Sequence, residues 1–176
     1  EGDLAGWTGS GGLAVDFGTN GLWNHDGTAW SKKTPWNPGN GGLAGWSGGL
    51  AVDFDTNGLW VYDGTAWSKK TWWNPEDDLV GWSGGLAVDF GTNGLWNYDG
   101  TSWSKKTPWD PGTGGLAGWN GGLSVDFGAN GLWSYDGSSW RKLTPWNPTG
   151  ISGWGGGLAV CFGADGLWNY DGTSWS

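Results

Sequence analysis

The sequence predicts an all-β fold built from five tandem copies of one short unit. The tripeptide Gly-Leu-Trp recurs at spacings of 37, 36, 37 and 35 residues, and it begins at Gly21, Gly58, Gly94, Gly131 and Gly166. The 176 residues include 39 Gly and 20 Trp, and no stretch shows the apolar spacing of a helix face. Because glycine disfavours helix interiors and tryptophan supplies apolar surface to bury, we expect strands and tight turns with essentially no α-helix.

Each unit contains the pattern of four short antiparallel strands, which we call A to D. In the first unit, strand A covers residues 13–17, where large and small side chains alternate, and strand B follows a GTNG turn. An Asp-Gly pair at residues 26–27, interpreted as a type I′ hairpin turn, leads to strand C at residues 28–33. A Pro- and Gly-rich loop then leads to strand D, the LAGW segment at residues 43–46. Four such strands per repeat are typical of one propeller blade.

The two ends of the sequence suggest how the array closes. The chain begins with a D strand at residues 4–7, after which residues 8–12 read as a Gly-rich turn, and it ends after a C strand. Pairing these two strands would remove free sheet edges. We therefore predict a single domain over residues 1–176, a five-bladed β-propeller of four-stranded antiparallel blades, closed one-plus-three by the N-terminal strand.

Charge and composition exclude several classes of partner. The formal net charge is −9, so a phosphate backbone would be repelled and nucleic acid is not an expected partner. There is no apolar run long enough to span a membrane and no signal-peptide pattern, so we expect no membrane insertion. We also expect a monomer. The single Cys161 leaves the compartment open, with a secreted or cell-surface location slightly favoured.

The tryptophans divide into two groups by position. Fifteen fall on strands B, C and D and are expected to pack between blades. The remaining five lie in or beside the C-to-D loop: Trp36, Trp72, Trp73, Trp109 and Trp146. A loop tryptophan next to an amide can serve as a ligand platform, or it can fold back to cover the edge of a blade. The sequence leaves both interpretations open.

The ligand interpretation points to sugars. In an up-and-down blade the C-to-D and A-to-B connections lie on one face, which brings loop Trp and Asn residues to the same surface. An indole covers the apolar C–H face of a pyranose, and an amide both donates to and accepts from its hydroxyls. The candidate carbohydrate-binding residues are Trp36, Asn37, Trp73, Asn74, Trp109, Asp110, Trp146, Asn147, Asn20, Asn57, Asn93 and Asn130.

The carboxylates receive structural interpretations. The Asp residues of the Asp-Gly turns are expected to be turn formers: Asp26, Asp63, Asp99, Asp136 and Asp171. A second set would lie on the innermost strands around a central channel: Asp16, Asp53, Asp89 and Asp126. Such a ring can hold a cation, but we expect it to make structural hydrogen bonds. Cys161 occupies the fifth position of this set and is expected to be a small buried hydrophobe.

Catalysis is not expected. The only histidine, His25, stands where the other units have Tyr, so a His-based triad or metal cluster cannot be built. Glycosidases need two carboxylates in unlike environments, whereas the repeat makes these carboxylates alike. We therefore predict no enzyme activity and no cofactor.

A family resemblance supports the sugar interpretation. The segment GLWNYDG at residues 94–100 resembles the Gly-aromatic hairpin of tectonin repeats, and the whole chain resembles the tectonin and tachylectin group of β-propeller lectins, although its units are shorter. The resemblance implies glycan binding in pockets between blades, with the sugar unspecified. The alternative is a non-catalytic structural or protein-interaction scaffold, natural or designed, which the near-identical units favour.

Overall fold

The computed structural model describes residues 3–7, 12–38, 42–76 and 78–176, over which the backbone forms strands, 3-10 turns and loops but no α-helix. The predicted all-β repeat is confirmed as five antiparallel sheets, four with four strands and one with three. The Gly-rich turn expected at residues 8–12 lies outside the described residues except for Gly12. No described helix is long and apolar enough to cross a membrane.

The strands follow one another in the same order in every sheet. The first sheet contains β1 (Leu4–Trp7), β2 (Gly12–Asp16), β3 (Leu22–His25) and β4 (Trp30–Thr34). The second contains β5 (Leu43–Trp46), β6 (Gly49–Asp53), β7 (Leu59–Tyr62) and β8 (Trp67–Thr71). The third contains β9 (Leu79–Trp82), β10 (Gly85–Asp89), β11 (Leu95–Tyr98) and β12 (Trp103–Thr107).

The last two sheets repeat this pattern. The fourth contains β13 (Leu116–Trp119), β14 (Gly122–Asp126), β15 (Leu132–Tyr135) and β16 (Trp140–Thr144), and the fifth contains β17 (Gly150–Trp154), β18 (Gly157–Cys161) and β19 (Leu167–Tyr170). Five 3-10 turns connect the second and third strands of the sheets: Gly18–Asn20, Asp55–Asn57, Gly91–Asn93, Gly128–Asn130 and Gly163–Asp165. A sixth, Gly112–Gly114, precedes β13. The chain forms two compact units, Glu1–Gly81 and Trp82–Ser176, and the single domain stays a prediction.

The strand order corrects the predicted one-plus-three closure. The N-terminal strand β1 pairs with β2, which follows it directly, in a register that places Leu4 opposite Val15. Each LAGW-type strand is therefore the first strand of its own sheet, and not the last strand of the preceding one. In the second sheet only Ser47 and Gly48 separate β5 from β6. A two-residue hairpin closes at little cost in chain entropy, so local pairing prevails over pairing between the chain ends.

The Asp-Gly turns are wider than predicted but use their carboxylates as expected. The first turn spans residues 26–29, and Asp26 Oδ1 accepts hydrogen bonds from the Thr28 N–H at 2.8 Å, the Thr28 hydroxyl at 2.7 Å and the Ala29 N–H at 2.9 Å. A type I′ turn needs two positive φ angles, whereas Gly27 has one and Asp26 does not. The type I′ prediction was wrong, and the turn-forming role of these Asp residues is confirmed.

Tryptophan burial follows the strand on which each residue lies. The first-strand residues Trp7, Trp46, Trp82 and Trp119 are buried, and Trp7 packs edge-on against Tyr62 of the next sheet with ring centroids 5.9 Å apart. The tryptophans of the third and fourth strands are mostly half-buried. The prediction that all fifteen belong to the core is wrong for Trp154, Trp30 and Trp168, which are 57%, 49% and 37% exposed.

Glycine allows the first strands of neighbouring sheets to touch through their backbones. A Cβ added to Gly45 would lie 1.9 Å from the Gly6 carbonyl oxygen, and one added to Gly153 would lie 2.0 Å from the Gly118 carbonyl oxygen. No side chain fits at such distances without moving one sheet away from the other. The third position of the LAGW-type strand must therefore be glycine wherever another first strand packs on it.

Gly45→Ala is expected to lower the free energy of unfolding by about 2–4 kcal/mol, because the methyl group forces two backbones apart. Gly150→Ala is the matched control, since Gly150 lies on the first strand β17 and an added Cβ would meet nothing within 4 Å. That variant should remain within about 0.5 kcal/mol of the parent. Urea denaturation measures both, and equal losses would contradict the close-approach argument.

Candidate functional site

The loop after the fourth strand and the 3-10 turn lie at the same end of the four-stranded sheets, as predicted. In the first sheet Leu22 is opposite Thr34, and a Cβ added to Gly21 would lie 2.4 Å from the Thr34 carbonyl oxygen. The 3-10 turn that ends at Asn20 therefore lies beside the loop that carries Trp36. The Asp-Gly turns lie at the opposite end of the sheets.

A threonine and a proline fix each loop. The Thr34 hydroxyl accepts a hydrogen bond from the Trp36 N–H at 3.1 Å, and Pro38, two residues later, is buried. The same bond recurs from Trp73 to Thr71 at 2.9 Å, from Trp109 to Thr107 at 3.0 Å and from Trp146 to Thr144 at 3.1 Å. The loop tryptophans are thus held in one repeated conformation.

The loop tryptophan packs against aromatic rings of the next sheet, and together these rings form an apolar pocket. The Trp109 ring lies 5.7 Å from that of Phe127 at an interplanar angle of 90°, and 6.0 Å from that of Trp133 at 77°. Together with Trp140 and Pro108, these rings line a cavity of about 290 Å³. We call this arrangement the aromatic pocket.

The aromatic pocket recurs along the chain. Trp36 lies 5.7 Å from Phe54 and 5.9 Å from Trp60, again with nearly perpendicular rings. Trp146 lies 5.6 Å from Phe162, and these two rings, with Trp168 and Trp175, line a cavity of about 250 Å³. The pocket thus has the same ring geometry in both compact units.

The two interpretations of the loop tryptophans are not exclusive. Trp36, Trp73, Trp109 and Trp146 are 54%, 53%, 53% and 58% exposed. For the three whose ring contacts are given above, the indole packs perpendicular to rings of the next sheet while about half of its surface faces solvent. Trp72 differs: it is 80% exposed, and the Lys69 ammonium lies 3.0 Å from its ring centroid.

The asparagines of the 3-10 turns are bonded through their backbones to rings of the aromatic pocket. The Trp60 indole N–H donates to the Asn57 carbonyl oxygen at 3.1 Å, and Trp133 does the same to Asn130. The backbone of each asparagine is therefore tied to a pocket ring. The side chains are exposed at all four predicted positions: Asn20, Asn57, Asn93 and Asn130. The structure thus brings Asn57 and Asn130 together with the loop tryptophan of the preceding sheet.

The polar residues that follow the loop tryptophans also support the loop itself. The Asn147 amide, oriented so that its nitrogen donates, reaches Asp126 Oδ1 at 3.2 Å and the Gly128 carbonyl oxygen at 3.0 Å. Asp110 takes the place of an asparagine in the third unit and accepts the Gly112 N–H at 2.7 Å. The side chains of Asn37 and Asn74 are exposed. Asn147 therefore offers a ligand chiefly its amide oxygen.

The strand-A carboxylates lie elsewhere than predicted. They end the second strand of the first four sheets, and the edge position beside that strand belongs to the LAGW-type first strand. They therefore do not lie on an innermost strand, contrary to the prediction. Asp16 accepts the Gly18 N–H at 2.7 Å, and Asp126 accepts the Gly128 N–H at 2.9 Å, which confirms structural hydrogen bonding. Among the described residues, no group of three or more His, Cys, Asp or Glu side chains could hold a metal ion.

Cys161 departs from its prediction as a buried hydrophobe. It is half-buried, and hydrogen bonds from the Thr149 hydroxyl and the Gly163 N–H hold the pKa of its thiol below the usual value. The other units carry a carboxylate at this position, so polar surroundings there are part of the repeat.

Sequence reasoning missed the aromatic partners of the loop tryptophans. Phe54, Phe127 and Phe162 end the alternating A segments, and the sequence assigned them to strands with no role in the site. Their recurrence directly before each GTNG-type turn was the available signal.

Comparison with models of known protein families gives no match, and comparison with curated proteins gives none either. Functional inference therefore rests on the pockets themselves.

Asp53→Asn is expected to flatten the pH dependence of stability. Burial, with a smaller contribution from Asp55, raises the pKa of Asp53 to about 7. Because the folded-state pKa exceeds the unfolded value, the fold favours the protonated form of Asp53. The contribution of Asp53 to stability is therefore fully present below about pH 4 and is lost as pH rises through about 7. The melting temperature of the variant should therefore change less than that of the parent between about pH 4.5 and about pH 7.5.

Asp63→Asn is the control for this measurement. Turn hydrogen bonds lower the pKa of Asp63 to about 2, so it stays ionised across the same interval. This variant should be less stable at both pH values and keep the parental slope. An Asp53→Asn variant with the parental slope would show that Asp53 does not titrate there.

Proposed function

We propose that this protein is a carbohydrate-binding lectin in which each aromatic pocket binds one sugar unit weakly, without catalysis or a cofactor. The observation that carries the proposal is the loop tryptophan, which is half exposed in a fixed loop and borders an apolar cavity. The exposed Asn130 is bonded through its backbone to Trp133, one of the rings of that cavity. A purely structural tryptophan would bury more of this surface.

The pocket chemistry suits a pyranose. Cavities of about 250 and about 290 Å³ are at or slightly below the usual lower limit for small-molecule sites, and a single sugar ring is a small ligand. The indole faces would cover the C–H face of the ring, while exposed amides such as that of Asn130 would bond its hydroxyls. Few polar groups line the cavities, which favours an apolar sugar face over a charged ligand.

Weak binding at each pocket would be offset by repetition. One aromatic contact contributes only about 0.5–1.5 kcal/mol, and a shallow site adds few hydrogen bonds. Engaging several linked pockets on a surface dense in glycans can raise apparent affinity by about 10² to 10⁴ without new contacts. A monomer that presents several pockets therefore suffices for retention on such a surface.

A structural or protein-interaction scaffold is the second candidate. The perpendicular packing of Trp109 on Phe127 and Trp133 favours it, because such contacts stabilise the junction between sheets even without a ligand. The two functions differ in what removal of the loop tryptophans does: a scaffold loses stability, whereas a lectin loses binding first.

We also propose that the five sheets are the blades of a five-bladed β-propeller. The constant period, the repeated strand order and the glycine contacts between first strands within each unit support this arrangement. A compact 176-residue chain has a radius of gyration of about 16 Å. Small-angle X-ray scattering tests this, and a clearly larger value would contradict a compact propeller.

Replacing Trp36, Trp73, Trp109 and Trp146 together by Ala is expected to reduce retention on a glycan-coated surface by about 10² or more, because all linked sites are lost. Trp72→Ala is the matched control, since Trp72 is an exposed loop tryptophan that stacks with Lys69. Retention of this variant should stay within about twofold of the parent, a smaller change than the loss of one aromatic contact would cause. Surface plasmon resonance on immobilised glycans measures both variants.

Denaturation curves distinguish the outcomes. Unfolding of the quadruple variant would favour the scaffold, because the tryptophans would then be core residues. Full retention by a folded quadruple variant would contradict sugar binding at the aromatic pockets.

A further inference from the structure

A polar cavity of about 350 Å³ lies between the fourth and fifth sheets, at the end that carries the Asp-Gly turns. It is therefore separate from the aromatic pockets, which lie at the opposite end. Its walls include Trp119, Asn120, Ser134, Asp136, Arg141 and Asp171, together with several glycines whose backbone groups are accessible. Charged and hydroxyl side chains are prominent in its lining, whereas rings dominate the lining of the aromatic pockets.

Three departures from the repeat shape this cavity. In the first sheet the Trp7 indole N–H donates to Asn24 Oδ1 at 2.9 Å across the sheet. The fourth sheet has the shorter Ser134 at the Asn24 position, and Trp119 donates instead to Ser124, which replaces an alanine, at 2.9 Å. With these two serines the Trp119 indole N–H keeps a hydrogen-bond acceptor, and the space that an amide side chain would fill stays open.

The third departure is Arg141, which stands where the first three units carry a serine: Ser31, Ser68 and Ser104. Its Nη2 donates to the Tyr170 hydroxyl and to the Gly172 carbonyl oxygen, both in the fifth sheet's repeat. The guanidinium thus bridges the two sheets at the cavity. A guanidinium has five N–H donors, so these two bonds leave further donors for a ligand.

Fixed charges of both signs border the cavity. Hydrogen bonds within the two turns hold the pKa of Asp136 and Asp171 well below the usual range, so both carboxylates are ionised at neutral pH. Asp136 Oδ1 accepts three of these bonds, whereas Oδ2 accepts one, from the Ser139 hydroxyl at 3.0 Å. A carboxylate oxygen with one bond can accept another.

We propose that this cavity binds a small zwitterion of amino-acid size, with its ammonium group between Asp136 and Asp171 and its carboxylate toward Arg141. A ligand with both charges complements one fixed cation and two fixed anions, whereas an anion meets two carboxylates and a cation meets the guanidinium. A volume of about 350 Å³ accommodates an amino acid with a small side chain beside the Trp119 ring.

The test titrates the full chain with L-alanine and follows heat by calorimetry. Propionate lacks the ammonium group of alanine, and ethylamine lacks its carboxylate, so each probe removes one charge. Saturable binding of one alanine per chain is expected, with both single-charge probes bound at least about tenfold more weakly. Equal binding of alanine and either single-charge probe would overturn the proposal.

Two variants locate the site. Arg141→Ser restores the residue of the first three units, and Asp136→Asn removes one fixed anion; each should weaken alanine binding by about tenfold or more. Asp63→Asn changes the equivalent turn of the second sheet, outside the cavity, and should leave the affinity unchanged. Asp63→Asn removes the same kind of turn hydrogen bonds as Asp136→Asn. If both variants lose alanine affinity, the loss comes from the turn defect, and the assignment of the site to this cavity is overturned.

Thermal unfolding controls for Arg141→Ser, which also removes a bridge between sheets. If that variant does not fold, the comparison of Asp136→Asn with Asp63→Asn still decides the question. Saturable binding of glucose with no response to alanine would assign the cavity to a neutral polyol and overturn the zwitterion.

Discussion

The close approach of first strands is the constraint on which the rest of the structure depends. A carbonyl of Gly6 lies where any side chain at residue 45 would stand, so neighbouring sheets meet backbone to backbone. That distance brings Trp7 onto Tyr62 and places Trp36 on Phe54 and Trp60. The contacts of the buried tryptophan and of the aromatic pocket with the next sheet therefore depend on a spacing between sheets that glycine permits.

The sequence predicted the repeated parts of the fold well. Alternation in LAVDF and the recurring GLW segment located the strands because strand patterning is local and was repeated five times. The pairing partners of the strands were harder to predict. Ser47 and Gly48 form a two-residue hairpin between β5 and β6, whereas the strand pattern predicted pairing between the chain ends. Partner choice depends on competing loop entropies, which a strand pattern alone does not reveal.

The candidate site was predicted only in part, for a related reason. Trp109 and Asn130 were expected at one face, and the structure brings them together through Trp133. Phe127 was missed because its contact crosses from one sheet to the next. The hydrogen bonds of Asn147 to Asp126 and Gly128 were also unforeseen, because an amide beside a tryptophan suggests a ligand as readily as a loop brace.

Repetition and its exceptions suggest two kinds of recognition. The repeated aromatic pockets are proposed to make weak, multivalent contacts with sugars, whereas Arg141 lines the charged cavity that is proposed to bind a zwitterion. Saturation-transfer difference NMR with a free pyranose tests the central proposal most directly. Stacking on the loop indoles predicts the strongest saturation on the ring C–H protons of one sugar face; no transfer, or equal transfer to all protons, would contradict it.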